Sequence, residues 1–296
     1  EMFYLLEECA EHLDSFLEEQ VRRESVIECR DLAAKFTMDV IGVCVFGLNM
    51  NAIAEEDSEF RKIARKIFSV STLSFLQNQL RLVVPWFLDL LSPIFYDKQM
   101  NEFFIGSITQ TMEYRRRSNE KRNDFIDLLM AIKDDPSKVN DIELTDPFPT
   151  AQAFVFFLAG FETSSTTMSN ALYELALNKN IQDKLRAEIT DVLEKNDNKL
   201  TYDNIKSMKY LDKIVKESLR KYPPGSLLRR ISLSPYTFSG TDVSIPKHTP
   251  VLIPVWAMHR DPEIFPNPEE FDPERFNEEN EKNRHPMHYL PFWAGP

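Results

Sequence analysis

Residues 151–177 read AQAFVFFLAGFETSSTTMSNALYELAL, and their pattern decides how the rest of the chain is understood. Phe154, Val155, Phe156, Phe157 and Leu158 make the opening apolar on every side, which is what a buried helix requires. Ala159-Gly160-Phe161-Glu162-Thr163-Ser164-Ser165 then sets small and polar residues into the run. Gly in a helix interior costs about 1 kcal/mol relative to Ala. A buried carboxylate or hydroxyl costs more unless something uses it. Thr163 is spaced to donate its hydroxyl to the carbonyl of Ala159, a bond that tends to bend a helix. Two readings stay open on this stretch alone: a core helix with a packing glycine, or a groove lined by one hydroxyl and one carboxylate.

Outward from that helix, the chain has ordinary globular composition. Of its 296 residues, 43% are hydrophobic and 28% charged, enough to bury a large core. A net charge of -12 argues against a nucleic-acid partner. Cys9, Cys29 and Cys44 are odd in number and show no paired spacing, so they read as reduced, buried thiols in a cytosol-facing protein. No apolar run reaches the 18 or more residues of a membrane span. Both ends fall inside structured patterns and read as truncations, the first within a helix and the last within a turn at Gly295-Pro296.

The first 222 residues are predicted to be helical. Helical periodicity covers 1–20, 30–46 with Gly47 as C-cap, 57–68, 97–118, 125–133, 180–195, 201–207 with Thr201 as N-cap, and 211–221. Arg115-Arg116-Arg117 reads as a solvated helix end, favourable at the C-terminal dipole. Residues 80–91 are almost wholly apolar around Pro85 and carry the aromatic pair Trp86-Phe87, which suits either a buried helix–loop–helix or a membrane surface. After 222 the character changes: 13 of 18 prolines lie in the last 74 residues, which excludes long helices. Short strands are predicted at 227–231, 236–238, 243–245 and 251–255, followed by an irregular coil. The fold class is therefore mainly α with a small β region.

Several short motifs carry chemistry. Glu217 and Arg220 stand three apart on one helix face and meet there; alone, such a pair is usually superficial. Arg275, flanked by Phe271 and Phe276, suggests a guanidinium carried into a packed site, where it could join that pair. Arg229-Arg230 suits an anionic group. His285 and His288 lack a third ligand nearby, and His12, His248 and His259 read as structural. No glycine-rich phosphate loop or nucleophile elbow is present.

In this order and spacing, Ala159-Gly160-Phe161-Glu162-Thr163-Ser164, Glu217-Ser218-Leu219-Arg220, Asp272-Pro273-Glu274-Arg275-Phe276 and Pro291-Phe292-Trp293-Ala294-Gly295-Pro296 resemble the haem-thiolate monooxygenases, cytochrome P-450. Lys221-Tyr222-Pro223-Pro224 and His259-Arg260-Asp261-Pro262 resemble the insect microsomal branch that acts on xenobiotics. The resemblance covers the whole chain. It implies part of the family's helical prism, one partial catalytic domain over 1–296, with a helical part at 1–222 and strands and meander at 223–296.

The resemblance also implies roles. Residues 151–177 become the helix crossing the distal face of haem b. Thr163 and Glu162 match the proton relay. Ala159 and Gly160 leave room for dioxygen. Phe157 and Phe161, with Phe154, face an apolar substrate, as do Leu227 and Leu228. Arg230 pairs a haem propionate, and Phe292 opens the haem-ligand loop. Glu217, Arg220 and Arg275 form a structural triad. Electrons come from NADPH through a reductase partner, residues 80–91 lie against the membrane, and the location is the cytosolic face of the endoplasmic reticulum or microsome.

Two departures stand out. The axial cysteine would lie a few residues beyond Pro296, so no metal ligand is expected within the chain. Trp293 replaces a usually small residue of the ligand loop. The competing function is a non-catalytic remnant that cannot ligate haem iron. The coding sequence beyond Pro296 separates the two.

Overall fold

The computed structural model describes residues 2–23, 26–48, 50, 52–53, 62–63, 98–135 and 148–292. The expected helix at 57–68, the apolar run at 80–91 and Trp293 lie outside the described residues, apart from 62–63. Two compact units are present, Glu1–Ser165 and Thr166–Pro296. The composition change near 222 does not coincide with their boundary. Prolines decide which elements form, whereas compactness follows from which side chains pack together.

The first unit begins with α1 (Phe3–Arg22) and α2 (Cys29–Ile41). The Glu28 carboxylate caps α2 by accepting from the backbone N–H groups of Arg30 and Asp31. The last turn of that helix widens into a π-helical turn at Gly42–Phe46 and ends at Gly47, with φ +62. Gly is needed there both for the left-handed backbone and because Arg115 Nη2 occupies the space a Cβ would take. Next come α3 (Lys98–Ser118) and α4 (Phe125–Asp134), the latter capped by Asp124. The long helix α5 (Phe148–Leu177) starts in this unit and carries the boundary between Ser165 and Thr166.

The core of this unit is aromatic. Phe46, Phe104, Phe157 and Phe161 are buried with Ile41, Ile108 and Ile126. Phe104 meets Phe157 edge-on at 5.3 Å, and Phe157 stacks on Phe161 at 5.9 Å. Burying a Phe is worth about 1.5–3 kcal/mol, so this quartet anchors α5 strongly. The helix is not apolar-buried on all sides as expected: Val155, Phe156 and Leu158 are exposed. Packing from α2, the π turn and α3 reaches one side of the apolar run.

Arg115 corrects a second expectation. It is not solvated but buried, held by Asp124 and by Asp127 at 2.7 Å, while Arg116 and Arg117 are exposed. Two carboxylates from the start of α4 compensate its charge, which burial alone would forbid.

The second unit contains the rest of α5, then α6 (Lys179–Glu194), α7 (Tyr202–Ser207) and α8 (Lys209–Lys221). Thr201 caps α7 as expected. Two antiparallel ribbons follow: β1 (Leu228–Ile231) with β4 (Pro250–Ile253), and β2 (Tyr236–Thr237) with β3 (Ser244–Ile245). Leu228 faces Ile253 and Arg230 faces Val251 across the first ribbon. The strands are shorter than expected, and Val255 opens a helical turn, α9 (Val255–Met258), because the strand ends at Pro254. The meander supplies 3-10 turns at Pro273–Phe276 and Pro286–His288 around α10 (Glu278–Asn283). Lysines of α8 tie it down, Lys213 to Glu274 at 2.8 Å and Lys216 to Glu281 at 2.8 Å.

Candidate functional site

The polar insert of α5 remains helical throughout. Thr163 donates its hydroxyl to the Ala159 carbonyl, as the spacing predicted. A second hydroxyl converges nearby: Thr37 of α2 donates to the Phe161 carbonyl at 3.2 Å. Glu162 is half-buried and forms an ion pair with Arg30 at the start of α2. No local signal could have revealed this partner, since 132 residues separate the two. Ala159 is exposed and Ser165 is buried.

Gly160 is not open space. A Cβ there would stand 2.8 Å from Cδ1 of Ile41, so the missing side chain lets α2 approach α5. Phe157 and Phe161 belong to the aromatic core, with Phe154 partly buried against it.

In the second unit, Glu217, Arg220 and Arg275 come together. Arg220 grips Glu217 with two bonds, Nε at 2.7 Å and Nη2 at 2.9 Å. Both side chains are fully buried, so this is not the superficial pair that the spacing usually means. Arg275 Nε lies 3.4 Å from Glu217, and its terminal nitrogens donate to the carbonyls of Pro266 and Asn267, the second at 2.8 Å. Glu217 also accepts from the Asp272 amide at 3.0 Å. Burial pushes the Glu217 carboxyl up, against Arg220, the Asp272 amide and Arg275, which pull it down. The arrangement pins the meander to α8 through the charge-assisted bonds of Arg220 and Glu217 and the carbonyl contacts of Arg275, while Arg275 Nε finds no hydrogen-bond partner.

Other expected residues are dispersed over this unit. Arg229 and Arg230 are exposed on β1, and Arg230 Nη1 donates to the Arg229 carbonyl at 3.2 Å. Leu228 is buried against Val255 and Leu290, whereas Leu227 is exposed. Phe292 is exposed at the end of the described chain. One residue escaped the sequence. Glu174 of α5 is buried, accepting from Tyr222 Oη at 2.5 Å and pairing with Lys221 at 2.8 Å. Tyr222 is consequently held well above the usual phenol range, by burial first and by Glu174 second. His259, read as structural, follows α9 and is wholly buried against the end of α8, bonded through both ring nitrogens.

The cysteines differ in setting. Cys9 is buried and Cys44 half-buried, and burial pushes their thiols up to about 12 and about 11. Cys29 is exposed at the start of α2, contrary to the expectation of three buried thiols. Among the described residues, no group of three or more His, Cys, Asp or Glu could hold a metal ion, and no helix is long and apolar enough to cross a membrane.

The family model described as "Cytochrome P450" matches residues 1–296. The chain is 44% identical over 270 residues to "Probable cytochrome P450 6a13" of Drosophila melanogaster, covering 91% of this chain and 54% of that protein. It is 38% identical over 312 residues to "Cytochrome P450 6k1" of Blattella germanica, covering 100% and 59%. It is 39% identical over 306 residues to "Cytochrome P450 6a2" of Drosophila melanogaster, covering 100% and 60%. The chain thus spans a little over half the length of these relatives.

Proposed function

The chain belongs to the cytochrome P450 family, among its insect CYP6 members, and from that premise we propose that the whole protein is a haem-dependent monooxygenase. It inserts one oxygen atom of O2 into an apolar small molecule, such as a xenobiotic, and draws electrons from NADPH through a separate reductase. It works at the cytosolic face of the endoplasmic reticulum, with residues 80–91 against the membrane. The observation that carries the proposal is the Thr163 hydroxyl turned onto the Ala159 carbonyl, one residue from the ion-paired carboxylate of Glu162.

The fit of haem to these residues is partial. Arg230 is a guanidinium on a short strand and suits a propionate. Cys9 and Cys44 do not fit as iron ligands, because both are packed into the apolar cluster of Leu5, Val40 and Val43. The ligand in this proposal is a cysteine of the loop that follows Phe292. Haem, when bound, supplies the activation of dioxygen.

The chain's own residues supply protons and shape. The half-exposed Glu162 carboxylate takes a proton from solvent while Arg30 holds it in place. Thr163 Oγ1 carries a proton now committed to the Ala159 carbonyl, and rotation about its side chain redirects it. Proton transfer by placed groups contributes typically about 10²–10⁴-fold. Leu227 offers an apolar contact to substrate, and Leu228 fixes the strand that bears it. Glu217, Arg220 and Arg275 hold the meander and take no part in the chemistry.

Thr163→Ala in the complete protein tests the proposal. Product formed per NADPH consumed is expected to fall about tenfold with the haem spectrum unchanged. Undiminished coupling would remove Thr163 from the relay.

A further inference from the structure

His259 makes a cross-clasp with Arg220. The ring Nδ1 lies 3.1 Å from the Arg220 carbonyl, and Arg220 Nη1 donates to the His259 carbonyl at 2.9 Å. On its other side the ring Nε2 receives the Leu290 amide at 3.0 Å. A carbonyl only accepts and an amide N–H only donates, so Nδ1 must carry the proton and Nε2 must be bare. The ring stacks on Tyr289 at 5.4 Å and meets Phe265 edge-on at 6.0 Å. Leu290, immediately after, is buried with Leu228 and Val255. One neutral imidazole thereby joins the end of α8, the turn after α9 and the segment leaving the 3-10 turn at Pro286–His288.

We propose that His259 is a positioning residue that latches the Leu290 backbone to the end of α8 and sets the course of the chain into Pro291 and Phe292. The latch needs the neutral ring. A proton on Nε2 removes the acceptor and turns a donor onto the Leu290 N–H. The charged groups facing the ring are Arg220 from α8, Arg260 beside it and Arg284 after α10, all cationic, with Glu217 compensating Arg220. They and burial together oppose protonation, and burial, the largest cause, lowers the group to about 4. Its consequence for haem rests on the proposal above, that the iron ligand follows Phe292; the latch itself does not.

The test is site-resolved hydrogen exchange in the complete protein, read as the protection factor of the Leu290 amide. His259→Phe keeps an aromatic ring but neither hydrogen bond, and is expected to lower that protection at least tenfold while amides of α6 are unchanged. His259→Gln retains a donor and an acceptor and is expected to restore most of it. As pH falls from 6.5 towards 4, wild-type protection at Leu290 drops while that of His259→Gln does not. If His259→Phe fails to fold, this pH comparison decides. Equal protection in wild type and His259→Phe, or parallel pH trends in wild type and His259→Gln, overturns the latch. The absorption band of the reduced carbon monoxide complex is recorded alongside. Exchange effects as stated, with no shift of a thiolate-type band in His259→Phe, support the latch and instead refute its link to the iron ligand.

Discussion

Cδ1 of Ile41 on α2 sits 2.8 Å from the point where a Cβ on Gly160 of α5 would stand, and Cγ1 sits 3.3 Å from it. The glycine is therefore a close-packing residue between two helices, and its replacement sets helix propensity against overpacking. Gly160→Ala gains about 1 kcal/mol of propensity and loses about 1–3 kcal/mol to crowding. We expect a net loss of roughly 1 kcal/mol, and at least about 2 kcal/mol for Gly160→Val. Ile41→Val should recover part of the Gly160→Ala loss. A wild-type urea midpoint for Gly160→Val would show that the two helices do not depend on this approach.

Glu217 balances two guanidiniums inside the second unit. Glu217→Gln leaves Arg220 charged and buried, and removal of one partner of a buried pair costs about 3–5 kcal/mol. Arg275→Lys keeps the charge but cannot reach both the Pro266 and Asn267 carbonyls in the fork geometry. It is expected to cost about 1–3 kcal/mol. Denaturant titration measures both. Losses under about 0.5 kcal/mol, the usual effect of a surface substitution, would mean the meander is held some other way.

Arg30 and Glu162 behave differently, although they too form an ion pair. Their side chains are 61% and 30% exposed, and pairs in such surroundings contribute about 0.2–1 kcal/mol. Arg30→Ala is expected to cost under about 1 kcal/mol, and the cost should shrink as salt is raised. A loss as large as that of Glu217→Gln would assign Arg30 a structural role and count against Glu162 as a group placed for proton transfer.

Thiol chemistry should separate the three cysteines. An alkylating reagent near neutral pH is expected to add once to the folded chain, at Cys29, because the buried Cys9 and Cys44 are held as thiols. Mass spectrometry before and after unfolding counts the adducts. More than one adduct in the folded chain would show that the core around Val43 opens readily.

What the sequence alone determined is local. The described helices, the cap at Thr201 and the Thr163–Ala159 bond all depend on residues within about four positions of one another. Glu217 and Arg220 were legible for the same reason, being three apart, and the prolines after 222 excluded long helices whatever they packed against. Tertiary structure alone decided what each group faces. Arg115 is buried because Asp124 and Asp127 come from another helix. Glu162 finds Arg30, Gly160 finds Ile41, and His259 finds Leu290 across 31 residues. Burial and electrostatic partnership are properties of packed surfaces, and no periodicity along a chain records which surface will cover it.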